Sequence, residues 1–84
     1  MGVEMQDKEL LIENIDKVHT TEMGIGRISR NLEITCDVVE YCKKKILKSD
    51  SKVSREGKNY YIDIDDCIIT VNASSYTIIT AHKK

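Results

Sequence analysis

The 84-residue chain has no tryptophan, no phenylalanine and no proline, and its only aromatic side chains are four tyrosines. A hydrophobic core must therefore rest on isoleucine, leucine and valine, with tyrosine as the largest filler. A chain this short closes one core and leaves nothing for a second, so residues 1–84 are expected to form a single domain. Its stability should be modest unless a second subunit adds buried area, which makes a homodimer the matching expectation.

Cysteine is scarce and odd in number. Cys36, Cys42 and Cys67 form no C-x-x-C pair, which removes the disulfide frameworks and the common structural zinc patterns, and no metal is expected. Cys42 and Cys67 lie in apolar patterns, where a thiol is usually a small core residue. There is no apolar run long enough to cross a membrane and none at the N-terminus that resembles a signal peptide, so a cytoplasmic location with reduced thiols is expected. The segment "GIG", Gly24 to Gly26, lacks the preceding strand and third glycine of a dinucleotide fingerprint, and there is no phosphate-loop lysine, so no cofactor is expected. Neither Cys–His nor Ser–His–Asp spacing appears in a recognisable motif.

Excess charge of one sign is also missing. The net charge is −1 with 32% charged residues, which excludes a strongly basic nucleic-acid arm or an acidic tail as the account of the whole chain. The distribution is less even than the total. Residues 1–26 carry two lysines against six carboxylates, and residues 27–58 carry nine cations against five carboxylates. A basic middle beside an acidic start can attract phosphate locally, although solvated charge produces the same pattern.

What is present is periodicity. "DKELLIENIDKVH" repeats Leu11, Ile15 and Val18 at helical spacing, with acids early and Lys17 and His19 late, as the helix dipole favours. "TTEMGIGRISRNLEI" follows, with Thr20 or Thr21 able to cap it. Ile25, Ile28 and Leu32 fall on one arc, and Arg27 and Arg30 on the opposite side. Gly24 and Gly26 weaken this helix, which implies an irregular first turn or a close approach of another backbone segment. A third helix is predicted in "TCDVVEYCKKKILKSD", with Thr35 as cap and Val39, Cys42 and Ile46 as its apolar stripe. The period then changes to two. "KVSRE", "NYYIDI", "CIITVN" and "YTIITAH" read as strands separated by "GK", "DD" and "ASS". Residues 1–6 are expected to fray, residues 7–50 to be helical and residues 51–84 to form a β-meander. The fold class is α+β: three N-terminal helices packed on one face of a three- to four-stranded antiparallel meander.

One constellation suits phosphate chemistry. Arg27 and Arg30 share a helix side, and Lys58, Thr70, Asn72, Thr77, Thr80 and His82 can project from neighbouring strands. RNA cleavage without a metal needs a proton acceptor, a proton donor and a cation to hold the phosphate. Histidine ordinarily titrates at about 6.5, so His19 and His82 suit either proton role. His19, Arg27, Arg30, Thr80 and His82 are thus the candidate catalytic residues, and Thr20, Thr21, Lys58, Thr70 and Asn72 the candidate ligand-binding ones. Thr20 and Thr21 offer hydroxyls beside a helix N-terminus where an anion can sit, although capping explains them more cheaply. Each has an ordinary reading too, since threonine favours strands and arginine an outer helix face.

The strings "NIDKVHTTEMGIGRISRNL", "DVVEYCKKKI", "GKNYYIDIDDCIITVN" and "SYTIITAHK" resemble a family of short uncharacterised proteins of low-GC Gram-positive bacteria, a domain of unknown function, over Asn14 to Lys83. That resemblance carries no activity. A looser one is to the barnase, colicin-nuclease and RelE-type ribonuclease toxins. In those proteins helices precede a β-meander, as "ITCDVVEYCKKKI" here precedes "GKNYYI", "CIITVN" and "YTIITAH". This resemblance implies an RNA-directed domain, with His19, Arg27 or Arg30, Thr80 and His82 as the positions concerned. Such toxins are usually strongly basic, and this chain is slightly acidic. Three functions follow: a small ribonuclease-like domain, a non-enzymatic binder in host–phage conflict that inhibits a protein partner or sequesters a nucleotide, or a dimerising structural module. Element order favours the first, and net charge the second.

Overall fold

A computed structural model describes residues 7–84, so the expected fraying of residues 1–6 lies outside the described residues. Helix α1 (Asp7–Glu13) is followed by a 3-10 turn (Ile15–Lys17), α2 (Glu22–Leu32) and α3 (Val38–Leu47). Strands β1 (Lys52–Glu56), β2 (Asn59–Ile64), β3 (Cys67–Asn72) and β4 (Ile78–Lys83) come next. They form one four-stranded sheet in the order β1-β2-β3-β4, each pair antiparallel. This is the expected α+β arrangement, helices first and meander last.

The helix boundaries show where local chemistry overrides periodicity. The first helix stops at Glu13, not His19, because Asn14 leaves helical backbone (φ −108°) and donates from its side chain to the Leu10 carbonyl at 2.9 Å. Val18 is then extended, and His19 pairs with Thr77 in a one-residue parallel bridge. Helix α2 is capped by Thr21, whose hydroxyl accepts from the Gly24 amide at 3.0 Å. Its buried stripe is Gly24, Ile28 and Leu32, while Ile25, expected inside, is 45% exposed. Gly24 owes its place to the close approach of Thr20: a β-carbon there would lie 2.2 Å from Thr20 Oγ1. Helix α3 starts two residues later than expected. Asp37 is its cap, accepting from the Glu40 amide, and Val38, not Val39, joins Cys42 and Ile46 in the core. The ammonium of Lys8 on α1 donates to the carbonyls of Lys48, Ser49 and Ser51 at 2.9, 3.2 and 2.9 Å, which ties the first helix to the link between α3 and β1.

Strand pairing sorts the sheet residues into two faces. Val53, Ile62, Ile69 and Ala81 form one cross-strand row, and Tyr60, Val71 and Ile78 the next. These face the helices and, apart from the half-buried edge residue Val53, are essentially sealed from water. The other face carries the row Ser54, Tyr61, Thr70 and Thr80 and the row Lys52, Asp63, Ile68 and His82, with no helix of the described residues over it. Strict alternation along "YTIITAH" would have placed Thr80 with Ile78. A β-bulge prevents this: Val71 pairs with Ile78 and Thr70 with Thr80, so Ile79 is the extra residue. As a result Ile78 and Ala81 both face the core, and Thr80 and His82 face outward. Strand β4 begins at Ile78, two residues later than the apolar run suggested.

Candidate functional site

Three backbone segments converge at one end of the sheet, which we term the turn end. They are the stretch after the 3-10 turn, the β1–β2 turn at Gly57 and Lys58, and the β3–β4 connection, residues 73–77. The His19 amide donates to the Tyr76 carbonyl at 3.1 Å, the Ile78 amide to the His19 carbonyl at 2.7 Å, and the Ala73 amide to the Lys58 carbonyl at 2.7 Å. Asn72 organises the connection as an Asx turn. Its Oδ1 accepts from the Ser74 and Ser75 amides at 2.8 and 2.9 Å and from Ser75 Oγ at 3.3 Å. Tyr76 follows with φ +59°, a left-handed conformation for a bulky residue. Its ring stacks on buried Tyr60 at 6.5 Å between centroids. Burial, and then the neighbouring Tyr76, push the Tyr60 phenol upward, while Arg55 pulls it down.

This framework holds the His19 ring at both nitrogens. Nδ1 lies 2.8 Å from the Lys17 carbonyl, which can only accept, so Nδ1 carries the proton. In the neutral ring Nε2 then accepts from Thr77 Oγ1 at 3.2 Å, and Thr77 Oγ1 is 2.7 Å from Ser75 Oγ. If Nε2 gains a proton, the chain can reverse. His19 donates to Thr77, Thr77 to Ser75, and Ser75 to Asn72 Oδ1, with no partner lost. Cations surround the cluster. Lys17 lies over the Tyr76 ring at 5.9 Å and Arg55 over Tyr60 at 5.4 Å, while Lys58 is exposed on its turn.

Of the residues expected at a site, the structure therefore brings His19, Thr20, Lys58 and Asn72 to one end. Thr20 and Thr21 are committed to structure: Thr20 Oγ1 donates to the Ile78 carbonyl at 2.9 Å, and Thr21 caps α2. Thr70, Thr80 and His82 form a second group on the open face. There Thr70 is only 7% exposed, and a groove of about 310 Å³ is lined by Lys52, Val53, Ser54, Tyr61, Asp63 and Ile68. The arginines make a third group. Arg27 lies on the same stripe of α2 as Gly24 and Asn31, three and four residues away, and this stripe follows the outer edge of β4, where Asn31 Nδ2 donates to the Ala81 carbonyl at 3.2 Å. Arg30 is exposed on the outward side.

Lys17, Arg55, Ser75, Thr77 and Tyr76 acquire their places only through the tertiary structure. The pairing of His19 with Thr77 spans 58 residues, and no local signal announces it. The two buried thiols, Cys42 and Cys67, are poor nucleophiles at neutral pH, and Cys36 is exposed. Burial, with Cys67 nearby, pushes Cys42 up to about 12, and burial also raises Cys67.

Residues 12–82, most of the chain, match the model of a family described as a protein of unknown function, DUF3781. No curated protein and no solved structure matches the chain.

Proposed function

We propose that this chain, which belongs to the DUF3781 family of proteins of unknown function, is a non-enzymatic binding protein that takes the phosphates of an RNA segment at its turn end. Lys17 and Lys58 are the contacts, Arg55 adds positive potential, and the hydrogen-bonded cluster of His19, Thr77 and Ser75 holds the segments that carry them.

The observation that carries this reading is the separation of the two imidazoles. His19 is bridged to Thr77, whereas His82 lies five residues farther along the strand, on the open face. With Ile79 bulged out of the pairing, that is four rises of about 3.3 Å, roughly 13 Å. A proton acceptor and a proton donor for one phosphodiester must each reach it directly or through one water, at about 3 Å per step. Binding asks for less: cations and donors grouped near one another, as at the turn end. The slight negative net charge further favours a small contact set over the extensive basic surface of a nuclease.

Fluorescence anisotropy with a labelled single-stranded 12-nucleotide RNA at varied salt tests this. Affinity should fall with salt at a slope matching about two phosphate contacts, and Lys58→Glu should weaken binding about tenfold, with the RNA intact on a denaturing gel. Absence of binding at 50 mM salt would refute the proposal, and RNA cleavage abolished by His19→Ala would reassign the protein to the ribonuclease reading.

A further inference from the structure

At the opposite end of the sheet two hollows meet at Tyr41. One, of about 290 Å³, is walled by Tyr41, Lys44, Lys45 and Lys48, with no carboxylate among its walls. The other, of about 200 Å³, has Leu32 and Cys67 in its lining together with the carboxylates of Asp65 and Asp66 and the ammonium of Lys83. Tyr41 is half-buried and Lys45 lies over its ring at 5.2 Å. Tyr41 and Lys45 line both compartments. The first offers ammonium groups on lysine chains beside the Tyr41 ring, and the second combines apolar walls with carboxylate acceptors and the ammonium groups of Lys45 and Lys83.

Asp65 determines how these groups are presented. Lys45 and Lys48 both donate to its Oδ2, which leaves Oδ1 open as an acceptor and orients both lysines at the rim of the first compartment. These hydrogen bonds hold the Asp65 carboxyl below the usual carboxylate range, so it accepts throughout the neutral range. Lys44 is exposed and its ammonium makes no hydrogen bond or ion pair among the described residues, so it is available to an incoming anion.

From this arrangement we infer that the Tyr41 hollows form a binding site for a purine nucleoside phosphate, with the base between Tyr41 and the apolar wall and the phosphate among Lys44, Lys45 and Lys48. A base stacks on an aromatic ring whatever its sequence context. A ring edge carrying N–H donors, such as that of guanine, matches the open Asp65 Oδ1 and the Asp66 carboxylate, which only accept. Phosphate matches point-charge ammonium groups. A single hollow is below the usual size of a small-molecule site, and the pair joined at Tyr41 reaches it. The site is separate from the turn end and does not depend on RNA binding there.

The test is calorimetric titration of the protein with GMP, guanosine and inorganic phosphate in parallel, with amide shifts followed by NMR. GMP should bind at least tenfold more tightly than guanosine or phosphate, with shifts centred on Tyr41, Lys44 and Asp66. Lys44→Glu, a change at an exposed side chain, should weaken GMP about tenfold. Tyr41→Ala should do so by at least fivefold, while Tyr41→Phe retains affinity. Equal affinity for phosphate and GMP would overturn the assignment in favour of a simple anion patch. The absence of heat and of shifts at millimolar GMP, or shifts confined to His19 and Lys58, would also overturn it.

Discussion

The two ends of the sheet are held together by different forces. At the turn end the partners are amides, hydroxyls, carbonyls, one imidazole and the Arg55 guanidinium, which donates to the Gly57 carbonyl, and Asn72 and His19 are each bonded more than once. At the opposite end they are ions: Lys45 and Lys48 on Asp65, Lys84 on Asp63 at 2.6 Å and Lys83 on Glu33 at 3.5 Å. The difference decides what each end can offer a ligand. Where neutral groups fix most of the backbone, Lys17, Arg55 and Lys58 form no ion pair among the described residues, and an anion can recruit them. Where ions fix it, both signs are presented together, and a ligand must carry both an anion and hydrogen-bond donors to gain from them.

The largest expected effect comes from removing the apolar anchor of the turn end. Tyr60 is 2% exposed and stacked on Tyr76, so Tyr60→Ala should cost about 4 kcal/mol in urea unfolding. Cys67→Ala, which truncates a much smaller buried group at the ionic end, should cost about 1 kcal/mol. Equal losses would show that the ends are not anchored differently. Next in size, Asn72→Ala removes the acceptor of two amides and should cost about 1.5 kcal/mol, independent of salt. It should also broaden the His19 ring resonances, because Ser75 loses the bond that orders it.

Two glycines sharpen the same contrast inside one helix. Gly24→Ala drives a methyl into Thr20 Oγ1 and displaces it from the Ile78 carbonyl, so a loss of about 1 kcal/mol is expected. Gly26 has open space around its missing β-carbon, and Gly26→Ala should stabilise by about 1 kcal/mol in the same assay. The smallest effect is one of pH. The Asp65 carboxyl is lowered by its bonds to Lys45 and then Lys48. Its contribution is therefore complete above the unfolded carboxylate value, near 4, and is lost as pH falls through the lower folded value. Amide exchange near Asp65 and at Lys84 should quicken below pH 4 while that of Ser74 and Ser75 stays slow. Acid loosening both ends equally would remove the distinction.

Much of this was legible from side-chain periodicity. The alternation of Tyr60, Ile62 and Ile64 with Tyr61 and Asp63 fixed the faces of β2, and glycine at position 57 marked the turn. Element order alone indicated helices on one side of a meander. Legibility ended where one residue bonds to a distant one. Asn14 reaching back to Leu10 ends a helix whose apolar spacing continues past it, and the clash that demands glycine at position 24 involves a threonine whose rotamer is set by β4. The candidate set divided for a similar reason. His19 and His82 look equivalent as lone histidines near threonines, yet chain direction puts one beside Thr77 and the other near the far end of the same strand.

The bulge at Ile79 gives the chain a place where its length can change. In a regular strand the loss of one residue turns every later side chain to the opposite face. Here Ile79 is surplus to the pairing, so its deletion would leave Ala81 against the core and His82 in water, with Thr80 still opposite Thr70. Natural length variants within β4 should therefore cluster at this position, and a chain lacking Ile79 should fold with a straighter final strand.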